Sequence, residues 1–123
     1  MIQSILIVED IQQARSFLVG ILGDVFTGAV VTEATDMRSA HAVCARKQFD
    51  LALVDLQLPD GDGYAVLRRL KETQRNVTAI VTTAMGSDSA IVAALSAGAE
   101  GYLLKSDPPD LIASHLRNMQ EGM

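Results

Sequence analysis

At 123 residues the chain has room for one domain and a single sizeable core. Hydrophobic residues make up 49% and charged residues 20%, which excludes a disordered or fibrous protein, and with 4% aromatics the core must be built from Val, Leu, Ile and Ala. A net charge of −5 without clustered Lys and Arg argues against a nucleic-acid surface, so any DNA contact belongs to another segment.

Ser4 to Val8 is a short apolar run with β-branched residues, stopped by Glu9 and Asp10, the pattern of a strand buried on both faces. Ala14, Phe17, Leu18, Ile21, Leu22 and Val25 recur on one helical stripe, with Gln12, Gln13, Arg15 and Ser16 on other faces. Thr27 and Gly28 punctuate, and Ala29 to Ala34 reads as a second strand. Asp36 can cap a helix in which Ala40, Val43, Cys44 and Lys47 hold helical spacing. Leu51 to Val54 is a third strand that runs into Asp55, and Leu56 to Gly63 is a loop rich in Pro, Asp and Gly. The next helix passes through Val66, Leu67 and Leu70, with Arg68, Arg69, Lys71 and Glu72 on its polar face. Val77 to Thr82 is a fourth strand; Ser87 or Asp88 can cap a helix through Ile91, Val92 and Leu95, which Gly98 ends. Tyr102 to Leu104 is a fifth strand running into Lys105, and Pro108 and Pro109 suit the first turn of a last helix through Leu111, Ile112, Leu116 and Met119.

Five strands, each followed by a helix, predict an α/β domain over residues 1–123, with a parallel sheet covered by helices on both faces. No apolar run approaches the roughly 20 residues that span a bilayer. Met1 to Val8 lacks the basic start and cleavage site of a secretory signal, so the expectation is a cytoplasmic domain without membrane contact. Cys44 is the only cysteine, which excludes an internal disulfide; beside Ala42, Val43 and Ala45 it reads as a buried structural thiol.

In an open parallel sheet the carboxyl ends of the strands form one crevice, so Glu9, Asp10, Asp55 and Lys105 should meet there. Such a cluster can hold a hard cation beside a nucleophilic carboxylate, and the absence of His among its acids disfavours zinc. Asp50, Asp60 and Asp62 read as solvated loop residues, and His41 and His115, on predicted helices away from the strand ends, as structural.

Glu9 and Asp10 after the first strand, Asp55 after the third, Pro59 and Gly63 in the loop behind it, Thr83 and Ala84 after the fourth, and Lys105 after the fifth follow a familiar order. In that order, and over essentially the whole chain, the sequence resembles the receiver domain of bacterial two-component response regulators. The resemblance implies a three-layer, flavodoxin-like (βα)5 fold with five parallel strands in the order 2-1-3-4-5. It implies that Asp55 accepts a phosphoryl group from a histidine kinase, since a carboxylate attacks without losing a proton and the aspartyl phosphate is later hydrolysed. Mg²⁺, or Mn²⁺ in its place, would be held by Asp10, Asp55 and the backbone carbonyl of Gln57, with Glu9 acting through a bound water. Lys105 and the Thr83 hydroxyl would meet the phosphoryl oxygens.

By the same resemblance Thr83 and Tyr102 form a switch that alters the surface of the fourth helix, fifth strand and fifth helix, which also serves homodimers. Gly101 to Asp107 followed by two prolines looks like receivers attached to helix-turn-helix DNA-binding domains, implying transcriptional control with no direct nucleic-acid contact by this segment. Catalysis is expected only in the limited sense of Mg²⁺-dependent self-phosphorylation from a phosphodonor and slow autodephosphorylation.

The chain departs from the family pattern in places. Ser106 stands where the family commonly has Pro after the lysine, in a cis linkage. A cis bond to a non-proline residue costs about 3 kcal/mol, so trans geometry or a strained loop is expected. Gln57 and Met85 occupy positions that tune phosphate hydrolysis in the family, and Met85 cannot orient water. Repulsion among Glu9, Asp10 and Asp55 should raise the pKa of at least one of them. A pseudo-receiver that only binds a protein partner is the alternative, opposed by the complete acids, Thr83 and Lys105. A haloacid-dehalogenase-type phosphatase would need a second Asp where Gln57 stands.

Overall fold

The computed structural model describes residues 1–84 and 86–121; Met85 and its expected effect on hydrolysis lie outside the described residues. The strands are β1 (Ser4–Val8), β2 (Val30–Ala34), β3 (Leu51–Asp55), β4 (Gln57–Leu58), β5 (Gly61–Asp62), β6 (Thr78–Thr83) and β7 (Gly101–Leu104). The helices are α1 (Gln12–Val25), α2 (Met37–Cys44), α3 (Gly63–Thr73), α4 (Asp88–Ser96) and α5 (Pro109–Glu121). Five strands form one parallel sheet in the order β2-β1-β3-β6-β7, which, counted along the sheet strands alone, is the expected 2-1-3-4-5. The register aligns Val8 with Val54, Asp55 with Thr82, and Thr83 with Leu104, so the ends that carry the polar residues finish side by side.

The central strands β1, β3 and β6 are buried on both faces, and the two faces differ in composition. Leu6, Val8, Ala52, Val54, Ala79 and Val81 meet Ala40 and Cys44 of α2, Val66, Leu67 and Leu70 of α3, and Ala94 of α4. Ile5, Ile7, Leu51, Leu53, Ile80 and Leu103 meet Leu18, Ile21 and Leu22 of α1 and Ile112 and Leu116 of α5. The strand period of two thus sends the smaller residues mostly one way and the larger ones the other. Cys44 lies in the first core, where burial pushes its thiol up to about 11, in keeping with a structural role.

Local chemistry accounts for the helix ends. Asp36 and Ser39 form a reciprocal capping box at α2, and the bonds from the Ser39 hydroxyl and amide hold the Asp36 carboxyl below its ordinary value. Ser87, rather than Asp88, caps α4, and Gly98 follows it with φ +113°, a conformation that strains any side chain. Among the described residues no peptide bond is cis, so Lys105 and Ser106 are joined in trans.

Several expectations need correcting. Asp55 is the last residue of β3 rather than the first after it, and the loop beyond contains the antiparallel pair β4 and β5. Lys47 lies past the end of α2. Phe17 and Val92, placed on apolar stripes, are 41% and 61% exposed, because α1 and α4 each turn only part of their apolar surface to the sheet. Asp50, Asp60 and Asp62 are not merely solvated. Asp50 accepts from the amides of Gln3 (2.8 Å) and Ser4 (3.0 Å), Asp62 caps α3 through Ala65 N–H (2.8 Å), and Asp60 binds the start of α2.

Two glycines make opposite predictions. Gly20 lies inside α1 with nothing within 4 Å of a built Cβ, so Gly20→Ala should stabilise the domain by about 0.5–1 kcal/mol. A Cβ on Gly63 would overlap the Asp55 carbonyl oxygen and stand 2.8 Å from Leu56 Cα, so Gly63→Ala should destabilise it by about 1–3 kcal/mol. Urea unfolding of the two variants checks both signs.

Candidate functional site

The polar residues that end the sheet strands converge on one cleft. Glu9 follows β1, and its amide extends the ladder by donating to Ala34 O at 3.0 Å, which holds the side chain at the centre of the sheet end. That side chain is fully buried; Oε2 accepts from Ile11 N–H at 3.1 Å and Oε1 pairs with Lys105. Asp10, one residue on, is exposed. Asp55 is 5% exposed, with Oδ1 accepting from Gln57 N–H at 3.1 Å and Oδ2 accepting from Lys105 Nζ at 2.7 Å. Lys105 follows β7 and is seated on β6 by its amide, which donates to Thr83 O at 2.8 Å.

Carboxylate oxygens of Glu9, Asp10 and Asp55 all lie within 4.8 Å of one another. Oxygens bound to one hard cation at about 2.0–2.6 Å stand no more than about 5 Å apart, so the cluster fits such an ion. An open cleft of about 670 Å³ reaches it, lined by Asp10, Asp55, Gln57, Thr83 and Lys105 among others. Glu9 is absent from the lining and lies beneath it.

The electrostatics are those of an acidic pocket with a single bridging cation. Burial pushes the Glu9 carboxyl up; the bonds from Lys105 and Ile11 oppose this, and the Asp55 charge adds to it. The repulsion expected among the acids therefore contributes, but desolvation is the larger cause. Burial alone would lower Lys105; the hydrogen bonds and charges of Asp55 and Glu9 outweigh it and raise the ammonium above its ordinary value. Lys105 is thus cationic wherever the domain is folded near neutrality.

Every acid and the lysine expected at the site are brought together, with Thr83 and Gln57 on the same cleft. Tyr102 is not: it is 45% exposed and does not line the cleft. Tyr64 was not anticipated. It lines the cleft, and its hydroxyl donates to Ala90 O of α4 at 3.4 Å. The only local signal was its place directly after Gly63, at the start of a helix that abuts the Asp55 backbone.

Strand order, the acidic cluster and the lysine at the end of β7 define a receiver-type domain. Residues 5–117 match the response regulator receiver domain family, and the chain belongs to it. Among its relatives, the KDP operon transcriptional regulatory protein KdpE of Escherichia coli K12 is 41% identical over 103 residues, covering 83% of this chain and 44% of that protein. The DNA-binding transcriptional activator DevR/DosR of Mycobacterium tuberculosis is 34% identical over 101 residues, covering 82% and 46%. The chain therefore spans about half the length of these curated relatives, both transcription regulators. The receiver domain of sensor histidine kinase PA1611 from Pseudomonas aeruginosa superposes with a TM-score of 0.80 at 29% identity, covering 96% of this chain and 97% of that one. That structure has a magnesium ion coordinated in its active site cleft.

Like charges about 5 Å apart repel by about 1 kcal/mol even in water. Asp10→Ala relieves that repulsion, so in EDTA it should melt a few degrees above the unmodified domain and gain little from added divalent cation. An equal or lower melting temperature in EDTA would show that the acids are not strained.

Proposed function

We propose that this chain is the phosphoacceptor domain of a response regulator, with Asp55 taking a phosphoryl group from a histidine kinase. The observation that carries the reading is the Lys105 ammonium 2.7 Å from Asp55 Oδ2, inside an acidic cluster that opens to a cleft. An Asp55 oxygen attacks phosphorus, the bond from phosphorus to the donor's imidazole nitrogen breaks, and the electron pair leaves with the imidazole. No base is needed at Asp55. Lys105 exchanges part of its contact with Asp55 for a phosphoryl oxygen, and the Thr83 hydroxyl, on the same cleft, donates to another. Asp10, Asp55 and the Gln57 carbonyl would hold Mg²⁺ or Mn²⁺, with buried Glu9 supporting a bound water. When bound there, the cation would supply charge neutralisation to the transferring phosphoryl group. Water later attacks phosphorus, the bond from phosphorus to the Asp55 oxygen breaks, and inorganic phosphate leaves as the carboxylate is restored.

The new dianion at Asp55 draws Thr83 inward, and Tyr102 follows into the space vacated. The exposed face of α4, β7 and α5, which carries Val92, Leu95, Tyr102 and Leu111, reads out the change, either to an output segment or to a second copy of the chain. Transcriptional control, with DNA held by another segment, fits the relatives' printed roles. Residues 1–123 then act as a single receiver unit. No described helix is long and apolar enough to cross a membrane, which suits a cytoplasmic regulator.

Intact mass after incubation with acetyl phosphate and Mg²⁺ tests the reading. The wild-type chain should gain one phosphoryl group and lose it on standing, while Asp55→Asn, or the wild type in EDTA, should gain none. A wild-type chain that takes up no phosphoryl group is instead a pseudo-receiver.

A further inference from the structure

The loop behind Asp55 is anchored at both ends, and one anchor is a long-range contact. β4 and β5 pair as Gln57 with Asp62 and Leu58 with Gly61, which puts Pro59 and Asp60 in the tip of a short hairpin. The Asp60 carboxylate accepts from Met37 N–H at 2.7 Å and Arg38 N–H at 3.0 Å, the first two amides of α2. Asp36, the helix's own cap, takes the third amide, that of Ser39, at 2.7 Å. The tip also lies close against α2, since a Cβ built on Gly61 would stand 2.6 Å from Met37 Sδ. At its base the hairpin is tied to the cleft: Gln57 N–H donates to Asp55 Oδ1, and Gly63 N–H donates to Leu56 O at 3.0 Å.

We propose that Asp60 is a positioning residue for the cation site, locking the hairpin onto α2 so that the Gln57 carbonyl stands in register with Asp10 and Asp55. This rests on the reading of that carbonyl as a cation ligand. A side-chain ligand can adjust by changing rotamer, whereas a backbone carbonyl is only as well placed as the backbone that carries it. Mg²⁺ demands near-ideal octahedral geometry at about 2.0–2.1 Å, so a small drift of Gln57 weakens binding. Asp60 resists that drift with two charge-assisted hydrogen bonds at the positive end of a helix, stronger than neutral ones. The hairpin is thereby a strut between the cleft and α2.

Mg²⁺ titration by calorimetry, with melting temperatures measured in parallel, separates this role from plain helix capping. Asp60→Ala should weaken Mg²⁺ binding about tenfold, the lower end of the loss expected for an outer-shell partner. Asp60→Asn keeps one acceptor oxygen and should fall between. Asp36→Ala uncaps the same helix end without touching the hairpin, so it should lower the melting temperature and leave Mg²⁺ affinity at the wild-type value. Wild-type affinity in Asp60→Ala, or equal weakening by Asp36→Ala, overturns the proposal. A wild-type domain that binds no Mg²⁺ overturns the cation reading itself and the positioning role with it. Should Asp60→Ala fail to fold, Asp60→Asn decides alone, and affinity equal to wild type counts against the strut.

Discussion

The contact on which the domain depends is the Lys105 ammonium held between Glu9 and Asp55. It ties together the ends of β1, β3 and β7, elements far apart in sequence and neighbours only because the sheet is parallel and ordered as it is. Burying a lone carboxylate at the edge of a core made of Val, Leu, Ile and Ala would be prohibitive, and Glu9 is fully buried. Pairing with one shared cation makes both buried acids tolerable. It also leaves the cluster short of positive charge, since Asp10 adds a third carboxylate beside the Glu9 and Asp55 pair that shares one ammonium. That deficit suits the proposed function: a divalent cation would offset it, and with one bound the pocket would accept a phosphoryl group without excessive repulsion.

Rigid and adjustable parts are separated in space. The sheet, packed on both faces, fixes where β1, β3, β6 and β7 end, and the loops beyond carry the groups that must meet a ligand. Those loops are not slack. Asp50 ties the loop before β3 to the start of β1, Asp62 starts α3, and Asp60 fastens the β4 and β5 hairpin to α2. Gly63 lets the first turn of α3 lie directly against the Asp55 backbone, so that residue is backed by a helix start. The face of α4, β7 and α5 is different in kind: α4 fully buries only Ala94, and Val92 and Tyr102 lie in solvent.

Much of this was legible in the sequence, for identifiable reasons. Strands buried on both faces appear as unbroken apolar runs, so Ser4 to Val8 and Leu51 to Val54 stood out, and the acids that stop them marked the carboxyl edge. Asp36 and Gly98 announced helix ends through chemistry that acts within a few residues. What stayed hidden depends on distant partners. Asp60 looked solvated because its acceptors' donors lie 22 and 23 residues away, and Asp50 because its partners lie 46 and 47 away. Phe17 and Val92 follow helical periodicity faithfully, yet a stripe wider than the surface it covers leaves its margin exposed. Tyr64 could not be assigned to the cleft without knowing that α3 and α4 stand close enough for its hydroxyl to reach Ala90.

Under the proposed function, Lys105 surrenders part of its hold on Asp55 when a phosphoryl group arrives there. A crystal structure of the domain with Mg²⁺ and beryllofluoride tests it most directly. Beryllofluoride should be bonded to an Asp55 oxygen, with the cation on Asp10, Asp55 and the Gln57 carbonyl and Lys105 Nζ turned to a fluoride. A structure grown under those conditions with Asp55 unmodified and Lys105 still seated between Glu9 and Asp55 would contradict it.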